Sequence, residues 1–226
     1  MSISSDHDGK HGSDQAALSR LPSRFPIFPL SGAILLPGGN LPLNIFEPRY
    51  LQMTKDAMRG DRFIGMIQPR AAGGDGEPAL YPVGCVGEVT NYEATDDGRN
   101  LITLTGLCRF EIAEELTVAT PYRQVIAHYD SWKDDLEPKA APDSLRPHLV
   151  EALRRYFAVH DISVDWEQIE RAPLSGLLTS LAMICPFEAS EKQALLETAD
   201  PTELGHTLVT LLEMGTIGND SFGARH

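Results

Sequence analysis

Nucleophilic catalysis needs a serine, cysteine or lysine beside a positioned base, and this chain supplies those residue types without that spacing. No Gly-x-Ser-x-Gly elbow occurs. Ser31-Gly32 and Ser175-Gly176 are isolated pairs, one at a strand start and one in the first turn of a helix. His128, His148, His160, His206 and His226 stand singly, with no His-Glu-x-x-His and no His-x-His, and read as surface or capping residues. His7 and His11 beside Asp6 and Asp8 have the chemistry to hold a metal, but in a Ser-, Asp- and Gly-rich tail they read as solvated. Cys85, Cys108 and Cys185 are far apart and form no Cys-x-x-Cys, so they read as small buried hydrophobes in a reducing compartment. The acidic pairs Asp96-Asp97, Glu114-Glu115 and Asp134-Asp135 fall in loops or strand ends and read as solvated charge. The one Gly-Lys, Gly9-Lys10, is followed by His11, so no phosphate loop is present. The expectation is a non-catalytic chain with no metal and no cofactor.

Three residues merit separate weighing: Glu47, Arg49 and Tyr50, inside FPIFPLSGAILLPGGNLPLNIFEPRYLQMTKDAMRG (residues 25–60). Glu47 can interact with the first-turn amides of a helix, Arg49 can pair with an acidic neighbour, and Tyr50 offers an apolar body with a polar tip. Together they either lock that helix onto a sheet or present a groove to a partner. The elements that position them follow from the prolines, Pro26, Pro29, Pro37, Pro42 and Pro48. Proline supplies no backbone donor, so the stretch predicts short edge strands broken by turns rather than continuous central ones. LSGAILLPGG reads as one strand closed by a Pro-Gly-Gly turn, and LPLNIF as a second. Pro48 then opens a helix at its first position, with Tyr50, Leu51, Thr54, Ala57 and Met58 on one face and Gly60 as its stop.

The chain has 226 residues, 42% of them hydrophobic, enough for one large domain or two small ones. A net charge of −13, with no run of Lys and Arg, argues against a nucleic-acid surface. No apolar run is long enough to span a membrane and no signal-peptide pattern opens the chain, so no membrane partner and a cytoplasmic location are expected. The predicted layout is a disordered tail (1–22), a β-rich lobe (23–130), a polar linker (131–142), a helical bundle (143–215) and a frayed tail (216–226). Residues 62–68 and 84–94 read as strands, joined to the next strand by a hairpin at Thr95–Asn100 with its Asp97-Gly98 turn signal. NLITLTGLCRFEIAEEL reads as two strands broken at Gly106, and PYRQVIAHYD as the last strand. Beyond the linker, Asp143 or Ser144 caps a helix whose Leu145, Leu149, Leu153 and Phe157 recur at helical spacing. Asp165 caps a short helix, Leu174–Cys185 is an apolar one, and Ser190 with Gln193 makes a capping box. Asp200-Pro201-Thr202-Glu203 starts a final helix that reaches Gly215. The fold class is therefore α+β: a curved sheet or pseudo-barrel with one helix, followed by a helical bundle.

The stretch FPIFPLSGAILLPGGNLPLNIFEPRYLQM resembles the opening of the Lon protease N-terminal substrate-binding domain family. Its Phe46–Tyr50 segment, F-E-P-R-Y, resembles the short standalone bacterial members without ATPase or protease modules. The similarity continues through Val83-Gly84, Gly87-Glu88, Asp97-Gly98-Arg99, Gly106–Phe110, Pro186 and Lys192–Glu197, and covers about residues 23–215. Leu204-Gly205-His206 departs from it, where a more charged stretch with an arginine is the pattern. The resemblance implies a β-rich lobe with one helix followed by a helical bundle. It also implies recognition of protein or peptide segments, unfolded ones among them, without catalysis. Three uses remain open: binding of an extended peptide by strand addition, docking as an adaptor onto a separate protease or ATPase, and a small-ligand or enzymatic cleft between the lobes. The residues expected to meet a partner are Phe28, Leu30, Phe46, Glu47, Arg49 and Tyr50.

Overall fold

Pro26 and Pro29 sit where the backbone ladder needs no donor, which lets them occupy an interior strand. In the computed structural model, which describes residue 18 and residues 20–70, 78–137 and 140–220 (side chains through 217), β1 spans Arg24–Pro29. It pairs antiparallel with β6 (Gln124–His128) through Pro26↔Gln124, then parallel with β3 (Phe63–Ile67) from Ile27↔Gly65 onward. Ile27 N–H donates to Arg123 O on the β6 side and Leu30 N–H to Ile67 O on the β3 side. By strand alternation Pro26 turns its nitrogen toward β3 before that pairing begins, and Pro29 turns its nitrogen toward β6 after that pairing has ended. The expectation of an edge strand is thus corrected for residues 25–29, and the reason is this hand-over between two neighbours.

The remaining strands are β2 (Asn40–Ile45), β4 (Val83–Ala94) and β5 (Asn100–Glu115), and helix α1 (Pro48–Arg59) follows β2. Their order is β2-β5-β4-β3-β1-β6, and β5 also pairs with β6. Five strands therefore close on themselves into a barrel, while β2 lies outside the ring on the first half of β5. Closure is possible because β5 is one continuous 16-residue strand; the predicted break at Gly106 does not occur. A register shift beside the Gly87↔Gly106 pair bends it instead. Gly106 is required for another reason: a Cβ there would lie 2.1 Å from Leu36 O. Its N–H donates to Gly39 O and its carbonyl accepts from Gly38 N–H.

That contact also explains why residues 30–39 are not the strand their composition predicts. Ile34, Leu35 and Leu36 are buried, and they run as irregular chain over Gly87 and Gly106 rather than pairing along the sheet. β2 is a true edge, and Pro42 lies in its middle opposite Thr103. Because Gly39 O faces β5, residues 40, 42 and 44 direct their backbone groups to the free side, and Pro42 leaves that side without its central donor.

The barrel core is Phe25, Ile27, Ile67, Val86, Cys108, Phe110, Val125, Ala127 and Tyr129, with the Phe25 and Phe110 rings edge-to-face at 5.0 Å. Leu18 and Leu21 pack against it and Pro22 O accepts from Tyr129 Oη, so this end of the predicted tail is part of the packed lobe. The predicted linker is corrected in its first half. Asp130–Leu136 form a 3₁₀ helix fastened to β5 by a buried pair, Asp135 carboxylate to Arg109 guanidinium at 2.5 Å, with Arg109 also 4.0 Å above the Trp132 ring.

The contacts divide the chain between Pro138 and Lys139. The second unit contains α2 (Arg146–Val159), α3 (Trp166–Arg171), α4 (Leu174–Ile184), α5 (Ala189–Leu196) and α6 (Pro201–Asp220). Leu145, Leu149, Leu153 and Phe157 are all buried, as their spacing predicts. Asp165 accepts from Gln168 N–H, and Asp200 from Thr202 and Glu203 N–H, as expected of helix caps. Two readings are corrected. The capping box of α5 is Glu188 with Glu191, two residues earlier than Ser190 with Gln193. Helix α6 passes through Gly215, where a Cβ would meet the Tyr156 ring at 2.7 Å, so this glycine serves packing and not termination. Residues 1–17, with His7 and His11, lie outside the described residues, as do 221–226. No helix among the described residues is long and apolar enough to cross a membrane.

Candidate protein-binding site

Helix α1 begins where Pro48 supplies a preset φ and no orphan donor. Glu47 occupies the N-cap position but makes no side-chain cap bond; its carboxylate instead accepts from Arg49 Nε at 3.0 Å and pairs with Nη2 at 2.9 Å. The Arg49 guanidinium lies 4.5 Å above the Tyr50 ring, and that ring packs on Phe28 of β1 with centroids 4.3 Å apart. Glu47, Arg49, Tyr50 and Phe28 therefore form one stack running from solvent to the barrel wall.

The six residues singled out in the sequence separate along that stack. Phe28 and Tyr50 are 7% and 5% exposed, so they support the surface from behind. Leu30 is half-buried and donates its N–H to Ile67 O. Glu47 and Arg49 keep nearly half of their side chains in water, and Phe46 is 65% exposed. On β5, Leu101 is 38% exposed and pairs with Asn44 on the outer face, two residues before Phe46.

Beside the stack lies a cleft of about 510 Å³, walled by Pro29, Tyr50, Leu116, Val118, Pro121 and Tyr122, with Arg49 and Arg123 at its rim. Arg123 is held by the Glu115 carboxylate at 2.5 and 2.6 Å and by Pro78 O at 3.0 Å, which fixes the segment between β5 and β6. Tyr122 is the side chain that sequence reasoning missed. It is 7% exposed, and its hydroxyl donates to Asp56 Oδ2 on α1 at 3.0 Å. Burial, then the Asp56 bond, push its phenol up to about 12. Asp56 is held below the ordinary carboxylate range, first by the Gln52 bond; burial opposes this and is the next largest effect, outweighed with the help of Tyr122, Arg59 and Lys55. The two residues are 66 positions apart, and only the Pro121-Tyr122 pair opening the last strand hinted at a fixed aromatic there. On the far side of Tyr122 is a second cleft of about 260 Å³, bounded by Phe25, Pro26, Asp56, Ala57 and Arg24. Among the described residues no cluster of His, Cys, Asp and Glu is arranged to hold a metal. Burial pushes the thiols of Cys108 and Cys185 up to about 12 and about 11, which opposes nucleophilic use.

Residues 24–214 match the family model described as the ATP-dependent protease La (LON) substrate-binding domain. Lon protease 2 of Myxococcus xanthus is 29% identical over 188 residues, and a Lon protease of Anaeromyxobacter dehalogenans is 30% identical over 186. In both cases 80% of this chain aligns with 22% of the relative, so the chain spans about a fifth of the length of these proteins. Two solved structures share the fold. A Lon N-terminal domain protein from Xanthomonas campestris has a TM-score of 0.53 at 23% identity, with 84% of this chain and 98% of that one covered. The N-terminal domain of the Mycobacterium avium complex Lon protease has a TM-score of 0.57 at 18% identity, covering 84% and 97%. The matched span takes in β1 through most of α6, and the chain belongs to the family of the Lon substrate-binding domain.

Proposed function

We propose that this chain binds unfolded or extended segments of other proteins and acts by binding, not by chemistry. The observation that carries the reading is the cleft beside the Phe46–Tyr50 segment, with proline and tyrosine walls, in a domain of a substrate-binding family. Rigid aromatic and proline walls lose little entropy when they close on a ligand. Strand addition on β2 is the weaker mode, because Pro42 removes the central donor of its free side. Phe46 and Arg49 meet the partner, and Tyr50 packed on Phe28 supports Arg49 from behind. A net charge of −13 favours a protein partner over a polyanion.

The test is a titration of the purified chain with a reduced, carboxymethylated model protein that cannot refold. Saturable binding is expected, weakened about threefold to tenfold by Phe46→Ala or by Arg49→Ala. No binding at hundreds of micromolar, an interaction weaker than about 5 kcal/mol, would sink the proposal. Tyr50→Ala is unsuitable, since it removes a buried ring and reports on folding. A second reading, docking onto a separate protease or ATPase, is favoured by exposed Phe46 and Leu101 on the outer face of β2 and β5. Capture of such a partner that survives high salt and is lost in Phe46→Ala separates it from the first.

A further inference from the structure

The two clefts flanking Tyr122 share the same walls. Each is bounded by α1, by β1 and by Tyr122: Tyr50 and Pro29 in the first, Ala57 and Pro26 in the second. The Tyr122 hydroxyl, bonded to Asp56, bridges between them. Their separation can be measured on both walls. Tyr50 to Ala57 is seven residues of α-helix, about 10.5 Å at 1.5 Å per residue. Pro26 to Pro29 is three residues of strand, about 10 Å at 3.3 Å per residue. A chain crossing the bridge must therefore drop two side chains on the same side, about 10 Å apart. An extended β-strand fails, because residues i and i+3 point to opposite faces. A polyproline II segment succeeds: three residues per turn at 3.1 Å each bring i and i+3 to the same side about 9.3 Å apart.

We propose that the paired clefts take a protein segment in the polyproline II conformation, with apolar side chains at i and i+3 and an acidic residue at the end lying over Arg24. The inference rests on the peptide-binding reading above and names the conformer and the spacing. Polyproline II is a major conformer of unfolded chains, and grooves walled by aromatic side chains are suited to it. The charge follows from the second cleft. Arg24 and Arg62 stand there against Asp56 and Asp61. Asp56 is already engaged by Tyr122, Gln52 and Arg59, and among the described residues the Arg24 guanidinium bonds the neutral Gln124 Oε1, at 3.0 and 3.1 Å. With Arg59 paired to Asp56, this end carries three guanidinium groups, Arg24, Arg59 and Arg62, to two carboxylates, Asp56 and Asp61.

Fluorescein-labelled proline-rich dodecapeptides test this on the full chain by anisotropy. Their two leucines are spaced i,i+2, i,i+3 or i,i+4, with or without a glutamate beside either leucine. The i,i+3 peptide should bind at least about fivefold tighter than its spacing isomers, the loss expected when one apolar pocket goes unfilled. Glutamate at one end should tighten it further. Arg24→Gln should remove that gain and leave the spacing preference. Thr117→Trp, at an exposed position lining the first cleft, should weaken all of the peptides about tenfold with an unchanged circular dichroism spectrum. Equal affinities for the three spacings, or no effect of Thr117→Trp in a folded variant, would overturn the inference. If the unfolded model protein still binds when the spacing preference is absent, this inference fails and the peptide-binding reading stands. If neither binds, both fail.

Discussion

Tyr122 makes its bond to Asp56 only while its phenol is protonated, and that sets a pH dependence. Its pKa is about 12 in the folded chain and about 10 when unfolded. A raised folded pKa contributes stability that is complete below about pH 10 and is lost as pH climbs toward 12. Urea unfolding of Tyr122→Phe across this range should show a shallower alkaline decline than the parent, with the difference confined above pH 10. Asp56 has the opposite sign. Its lowered pKa contributes stability present above the ordinary aspartate value, about 3.9, and lost as pH falls through the folded value. One-third of the Asp56 side chain is exposed, so the acid effect is small. The thiols give a cleaner readout. Cys85, Cys108 and Cys185 are buried and unpaired, and burial pushes all three up. At pH 8 iodoacetamide should leave the folded chain unlabelled over an hour and add three groups in denaturant.

Among the elements, the 3₁₀ helix Asp130–Leu136 is fastened to β5 by a buried ion pair, with Arg109 stacked on Trp132 and with Trp132 and Leu136 packed against the barrel core. Arg109 and Asp135 keep only 8% and 7% of their side chains in water, so removing one partner strands the other charge. Asp135→Ala should cost about 3 kcal/mol in denaturant unfolding. Gly106→Ala puts a Cβ at 2.1 Å from Leu36 O and should cost about 3 kcal/mol. Gly98→Ala, at φ 85° in the open hairpin turn, should cost about 1 kcal/mol. The same elements show what a sequence can carry. Alternation of Leu101, Thr103 and Thr105 with Ile102 and Leu104 found β5, and the Asp97-Gly98 turn found its hairpin, because both are local. The Ile34–Leu36 run misled because an apolar segment packing over a barrel has the composition of a strand within one. Asp135 was indistinguishable from solvated acid, since nothing in Asp134-Asp135 shows that Arg109 waits 26 residues away. The types of Glu47, Arg49 and Tyr50 single them out in the sequence; the Tyr122–Asp56 bridge joins residues that share no pattern.

At the scale of the molecule, the closed ring and its own core make the first unit self-sufficient in backbone pairing and apolar burial. A fragment ending at Pro138 should therefore keep a β-type circular dichroism spectrum and unfold cooperatively. β2 is the strand the ring does not protect. Its free side would be a continuous row of donors and acceptors but for Pro42. Pro42→Val would fill the gap with a residue fit for a strand, and two chains could then join edge to edge. In concentrated solution light scattering should show Pro42→Val growing into dimers and larger particles while the parent stays monodisperse. That outcome would assign to Pro42 the task of keeping two such edges from joining in a crowded solution.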